Sequence, residues 1–245
     1  METRKNIALI WARGNGSSLP RKSVFPILGK PLISYILQAV RQSGIIDRLY
    51  VFTEDQEIME ITQQLGWQII VRQKHMVEYD DPGFNIQEIN HYQNQAILRD
   101  LSASPADIQR GAITPYVKGL FHFNCNHCLI TATTIRGMYN KLQESDASSI
   151  CIATKVDPHL FILHGEKETP FPIWHQHGLD RRNYPPLYRL YPDTNYIRID
   201  QLSVNRRQII YQIPREEALD VHDIADIRLA EFFLTQRNEL PSEKS

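Results

Sequence analysis

Residues 7–44 read IALIWARGNGSSLPRKSVFPILGKPLISYILQAVRQSG, and the change of character along this stretch decides the fold. The compact apolar run Ile7–Trp11, cut off by a Gly/Ser loop, reads as a strand buried on both faces. Pro31 then suits a first helical turn, Leu32, Ile36 and Val40 recur on one face, and Gly44 stops the helix. The same unit repeats downstream. Leu49–Thr53 is strand-like, Asp55 is placed to cap a helix, Ile58, Ile61 and Leu65 mark its apolar face before Gly66, and Trp67–Val71 is the next strand. Strands alternating with helices through short loops predict an α/β fold, with a mixed, mainly parallel sheet and helices on both faces.

Farther along, Arg72–Phe84 reads as a long loop, Ile86–Leu101 as helix, Gly119–Phe123 as strand, Thr131–Leu142 as helix and Ser148–Thr154 as strand. After Val156 the pattern breaks. Pro158, Pro170, Pro172, Pro185, Pro186 and Pro192 punctuate a stretch rich in His and aromatic residues, so residues 156–192 are expected to form a small inserted lobe. Strand-like Asn195–Ile199 and Gln208–Ile213 follow, then a helix over Ile224–Gln236, with Asp223 and Asp226 suited to its cap and first turn.

The chain has 245 residues, a length that fits one domain over 1–245 with that lobe attached. A formal net charge of −1 gives no global basic field for nucleic acid or an anionic membrane, so an anion site must be local. No apolar run approaches the ~20 residues of a spanning helix. Three cysteines, Cys125, Cys128 and Cys151, make no disulfide framework, and the cytoplasm is the expected location.

In an open parallel sheet, ligands bind beyond the carboxyl ends of the strands, which marks the loop after Trp11. Gly14, Gly16, Ser17 and Ser18 let backbone N–H groups approach a ligand, and Arg13, Arg21 and Lys22 supply charge for phosphate oxygens. The loop matches neither the G-x-x-x-x-G-K-[ST] nor the G-x-G-x-x-G pattern, so it reads as a polyphosphate site of another kind.

The segment ARGNGSSLPRKSVFPILGKPLISYILQAV resembles the opening of the sugar-acid cytidylyltransferases, the family that includes acylneuraminate cytidylyltransferase, with its A-R-x-x-S-K-G-L-P-x-K-N and G-K-P-L motifs. RLYVFTEDQEIMEITQQLG, DASSICIATKVDPH, RRNYPPLYRLYPDTNYIRI and ALDVHDIADIRLAE are similar, in the same order, to later family motifs. The resemblance implies a Rossmann-like nucleotide-diphospho-sugar transferase fold and a homodimer joined through the lobe. It implies transfer of a nucleotidyl group from CTP to a 2-keto-3-deoxy sugar acid, sialic-acid-like or octulosonate-like, with Mg²⁺ as cofactor. By position it assigns Ala12, Arg13, Gly14, Asn15, Gly16, Ser17, Arg21, Lys22 and Asn124 to the nucleotide, Arg13, Lys22 and Asp220 to catalysis, Asp220 and His222 to the metal, and Arg181, Tyr188 and Arg189 to the sugar acid.

The departures fall on functional positions. Gly16 and Ser17 stand where the family has Ser-Lys, Ser23 where it has Asn, Asn124 and Ile130 where it has Gln and Arg, and His222 where it has the second Asp of D-x-D. His in place of a carboxylate removes a hard oxygen donor that Mg²⁺ prefers and offers nitrogen, which suits Mn²⁺, Zn²⁺ or no metal. Two readings follow: an active transferase with an altered sugar or metal, or a dimeric relative that binds nucleotide or sugar without catalysis. A third class, a metal or redox protein, would rest on Cys125, His127 and Cys128, or on His159, His164, His175 and His177 in the lobe; small buried cysteines and surface histidines are the commoner meaning of both groups. Trp11, Trp67 and Trp174 are expected to pack in the core.

Overall fold

The computed structural model describes residues 4–15, 18–78, 81–156, 161–164, 169–172, 186–201 and 206–239. Strand β1 (Lys5–Trp11) is central, and Ile7, Ala8, Leu9 and Ile10 are all buried, as a strand covered on both faces requires. A two-residue hairpin, β2 (Pro26–Ile27) and β3 (Lys30–Pro31), turns the chain into α1 (Leu32–Ser43), which ends at Gly44 with φ 69°. β4 (Arg48–Thr53) and β5 (Gln68–Val71) flank α2 (Gln56–Gln64), whose cap is Asp55 accepting from the Ile58 N–H at 3.1 Å. Asn85 caps α3 (Ile86–Asp100) and Ser104 caps α4 (Pro105–Arg110), a short helix that the apolar periodicity did not announce because none of its residues is buried.

The chain then crosses back to β6 (Val117–Asn124), continues through α5 (Ala132–Gln143) to β7 (Ser149–Val156), and forms an antiparallel hairpin of β8 (Phe161–His164) and β9 (Thr169–Pro172). β10 (Leu187–Arg198), β11 (Gln208–Gln212) and α6 (Ile224–Glu239) complete it. The seven-stranded sheet runs β11-β7-β10-β6-β1-β4-β5, with β10 alone antiparallel to its neighbours. The order reverses at β1, which lies between β4 and β6, so a switch point opens at its carboxyl end.

β10 begins eight residues before the strand expected at Asn195, inside the stretch assigned to the lobe. Leu187–Tyr191 pair with Val156–Ile152, and the register shifts between Tyr191 and Asn195, at Pro192. Proline has no N–H for a ladder, so it is tolerated at a bulge and does not end the strand. The rest of that stretch, 157–160, 165–168 and 173–185, lies outside the described residues.

Ala8, Ile10, Ile36, Phe121, Ile135 and Ile150 fill one face of the sheet beneath α1 and α5. Ile7, Leu9, Phe52, Ile89 and Ile97 fill the other beneath α3. A third cluster joins Ile27, Leu32, Leu129, Val221 and Ile227, and this fastens α6 and the chain before it beside the loop that follows β1.

Candidate active site

The loop after β1 is held by the β4 exit. The Ala12 N–H donates to the Phe52 carbonyl at 3.1 Å, and the Gly14 N–H to Glu54 Oε1 at 2.7 Å. Gly14 has a steric reason as well: a Cβ there would run into the Asp55 carboxylate. Arg13 Nη1 lies 2.8 Å from Glu78 Oε2, and Arg21 pairs with both Asp55 and Glu57. Arg21 adopts φ 57°, a left-handed conformation that costs a non-glycine residue about 1 kcal/mol or more. That turn carries its guanidinium toward α2 and sends the next side chain, Lys22, inward.

Lys22 is only 8% exposed, and its Nζ donates to the Val221 carbonyl at 2.8 Å and lies 3.5 Å from Ser18 Oγ. Burial, the largest influence, lowers its pKa below the ordinary lysine value; Arg13 adds to the lowering, while Asp220 and Asp226 oppose it. The Lys22 hydrogen bond joins the loop after β1 to the chain before α6. There, Asp220 Oδ2 lies 3.0 Å from His222 Nε2, and Asp220 Oδ1 is buried without a hydrogen-bond partner. His222 and Asp223 donate their N–H groups to Asp226 Oδ2, and Asp226 returns its own to Asp223 Oδ1, the reciprocal cap expected of these acids.

The third side comes from the end of β6. Asn124 donates to Asp193 Oδ2 at 2.5 Å and accepts from the Asn126 N–H at 3.0 Å. His127 is fully buried, with Nδ1 2.8 Å from Thr194 Oγ1 and Nε2 unpartnered; desolvation lowers its pKa, against the pull of Asp193 and Asp220. Cys125 and Cys128 are free thiols in different core clusters, Cys125 beside Ser23.

Arg13, Lys22, Asn124 and His222, drawn from three places in the chain, line one cavity of about 210 Å³. Ser18, Ser23, Cys125 and Asn126 complete it together with two residues the sequence reading passed over for this role, Trp11 and Arg72. Arg72 is 4% exposed, donates to the carbonyls of Met76 and Val77, and stacks its guanidinium 5.3 Å from the centre of the Trp11 ring. Its signal was positional: it follows β5 directly, at the same edge of the sheet as the loop after β1.

Asp220, His222 and Arg189 line an adjoining cavity of about 610 Å³. The other assigned residues are elsewhere. Ala12 is buried, Asn15 exposed, Arg21 turned toward α2, and the Tyr188 hydroxyl lies 3.4 Å from Gln212 Oε1. Gly16, Ser17 and Arg181, and the side chains of His159, His164, His175, His177 and Trp174, lie outside the described residues. Among the described residues, no group of three or more His, Cys, Asp or Glu is placed to hold a metal. The open Oδ1 of Asp220 does suit an ion that takes its remaining ligands from water and phosphate. No helix among the described residues is long and apolar enough to cross a membrane.

Residues 7–105 match the family model described as Cytidylyltransferase. The chain is 42% identical over 62 residues to a pseudaminic acid cytidylyltransferase of Campylobacter jejuni, a match that covers 25% of this chain and 27% of that one. It is 22% identical over 251 residues to a 3-deoxy-manno-octulosonate cytidylyltransferase of Synechococcus elongatus, covering 94% of this chain and 98% of the other. Among solved structures, a CMP:2-keto-3-deoxy-manno-octonic acid synthetase complexed with CTP superposes with a TM-score of 0.61 at 14% identity, over 95% of this chain and 99% of that one. The fold is thus similar over 95% of the chain, while the 42% identity is over a segment about a quarter of its length.

Proposed function

We propose that this chain, a relative of the sugar-acid cytidylyltransferases, transfers the cytidylyl group of CTP to a 2-keto-3-deoxy sugar acid, of the class that includes pseudaminic and 3-deoxy-manno-octulosonic acids, releasing pyrophosphate. The observation that carries this reading is the buried Lys22 ammonium in a cation-lined cavity at the switch point of the sheet, hydrogen-bonded to a main-chain carbonyl and, among the described residues, to no carboxylate. Such a group retains its net charge for a ligand anion.

In the proposed reaction the sugar's anomeric oxygen forms a bond to the α-phosphorus. The bond from that phosphorus to its bridging oxygen breaks, the electron pair leaves with pyrophosphate, and the hydroxyl proton passes to solvent. Arg13, Lys22 and Arg72 neutralise the phosphate oxygens, and the Gly14 region brings backbone close to the nucleotide. Asp220 would hold a divalent cation, Mg²⁺ or Mn²⁺, through its open Oδ1, while the contact of Oδ2 with His222 fixes the carboxylate's orientation. When bound, that ion supplies further charge neutralisation at the phosphates.

The protein is also proposed to act as a homodimer in the cytoplasm. Phe232 and Leu190, 58% and 48% exposed, are apolar surface of the kind a partner copy covers.

Pyrophosphate release tests the function. Release that requires CTP among the four nucleoside triphosphates and one acid from a panel of 2-keto-3-deoxy sugar acids, and that disappears in Arg13→Ala, is the expected outcome. Absence of release across the panel, in protein that binds CTP by calorimetry, would sink the catalytic reading.

A further inference from the structure

Two cavities adjoin the cation-lined one, and among the described residues only the larger of the two holds arginine side chains. The smaller, about 280 Å³, shares Trp11 and Asn124 with it, and among the described residues its only charged lining residue is Asp193. His122, also in that lining, is kept neutral by burial. That lining offers a carboxylate no cationic partner. The larger cavity, about 610 Å³, shares His222 with the cation-lined one and holds Arg189 and Arg215. Neither guanidinium has a carboxylate partner among the described residues; Arg189 stacks 5.1 Å from the centre of the Tyr191 ring. Three carboxylates, Glu216, Asp220 and Asp226, line this cavity as well; Asp220 faces the His222 ring and Asp226 accepts the His222 N–H, so the two arginines, and not the net charge of the lining, single it out for an anion.

The remaining lining of the larger cavity is apolar: Ala218 and Leu219 from the chain before α6, and Leu229 and Phe233 one helical turn apart on α6 itself. Leu229 is 42% exposed, a large apolar side chain with nothing protein-derived to cover it among the described residues. Paired arginines beside an apolar wall match a ligand with a carboxylate at one end and apolar substituents at the other. A polyhydroxylated chain laid on Leu229 and Phe233 would lose water from its hydroxyls without gaining hydrogen bonds.

We infer that this cavity receives the acceptor and selects a sugar acid carrying acylamino and deoxy groups over one carrying hydroxyls alone, with Arg215 a binding residue for the carboxylate and Leu229 a determinant of selectivity. The inference rests on the transfer reading above and narrows its acceptor. Methyl-sized differences in an apolar pocket discriminate by about tenfold or more, so the preference is measurable by binding without turnover.

The test is calorimetric titration of the full chain, saturated with a non-hydrolysable CTP analogue, with a diacetamido-deoxynonulosonate and separately with 3-deoxy-octulosonate. The acylated acid should bind at least about tenfold tighter. Leu229→Ser, at an exposed position, should erase that ratio, and Arg215→Ala should weaken both acids alike, with the analogue's affinity measured in each variant as the control for an intact site. Equal binding of the two acids, preference for the octulosonate, or a ratio that survives Leu229→Ser would overturn the inference and leave the transfer reading standing. Failure of the analogue to bind the unaltered protein would overturn both.

Discussion

The two ends of the central sheet carry similar residues and use them in opposite ways. At the amino end, around a cavity of about 280 Å³, Arg48 lies 3.7 Å from Asp100, and the buried Tyr50 hydroxyl donates to that same carboxylate at 2.7 Å. Charge is closed on itself there, and the Tyr50 pKa is driven far up, first by burial and then by the hydrogen bond to Asp100. At the carboxyl end Lys22 donates a hydrogen bond to the Val221 carbonyl. A carbonyl is a dipole, so it satisfies the hydrogen bond without cancelling the charge. The contrast teaches that the partner of a buried cation, more than its presence, separates a structural pair from a ligand site.

The largest effect expected of that distinction is on nucleotide affinity. Lys22→Met should weaken CTP binding about a hundredfold, near the upper end for a charge-assisted hydrogen bond, with Lys22→Arg recovering part of it; calorimetry on variants with unchanged thermal midpoints reads this. A loss of less than a few-fold would break the comparison.

The amino end should answer in stability instead. Asp100→Ala strands the Tyr50 hydroxyl, which is 2% exposed, and should cost about 2 kcal/mol in urea unfolding while leaving CTP affinity unchanged. Arg48→Ala removes only a partly exposed pair and should cost less than about 1 kcal/mol.

The smallest effect sharpens the contrast through pH. Because the folded pKa of Lys22 lies below its unfolded value, the unfolded chain binds more protons between the two, so this group makes stability rise with pH across that window. The ligand sees the reverse: Lys22 loses its charge through the lower value, and CTP affinity should fall a few-fold on alkaline titration, earlier than for an ordinary lysine. Lys22→Arg should flatten that limb, and an unchanged profile would remove Lys22 from the phosphate site.

Most of the architecture was legible because it is written in short-range patterns. Ile7–Trp11, the Leu32, Ile36 and Val40 spacing, and the cap at Asp55 all depend on neighbours within a turn or a strand. The start of β10 was not legible, since Pro185, Pro186 and Pro192 read as interruption, and only the pairing of Leu187–Tyr191 with β7 makes Pro192 a bulge. The site divided in the same way. Arg13, Lys22, Asn124 and His222 were assigned by resemblance and do meet around one cavity, whereas Arg72 is marked only by its place directly after β5 and Arg215 carries no local mark that distinguishes it from a surface arginine.

What the sequence by itself determined is therefore the alternation of elements, the position of the loop after β1 and the cations within it, since hydrophobic period, capping and turn chemistry act over a few residues. Tertiary structure alone decided which of those cations remains available: Arg21 is spent on Asp55 and Glu57, while Lys22, the next residue, reaches a carbonyl 199 positions away. That partner is chosen by how α6 packs on the loop through Ile27, Val221 and Ile227, and a packing contact between distant segments leaves no periodic trace in either.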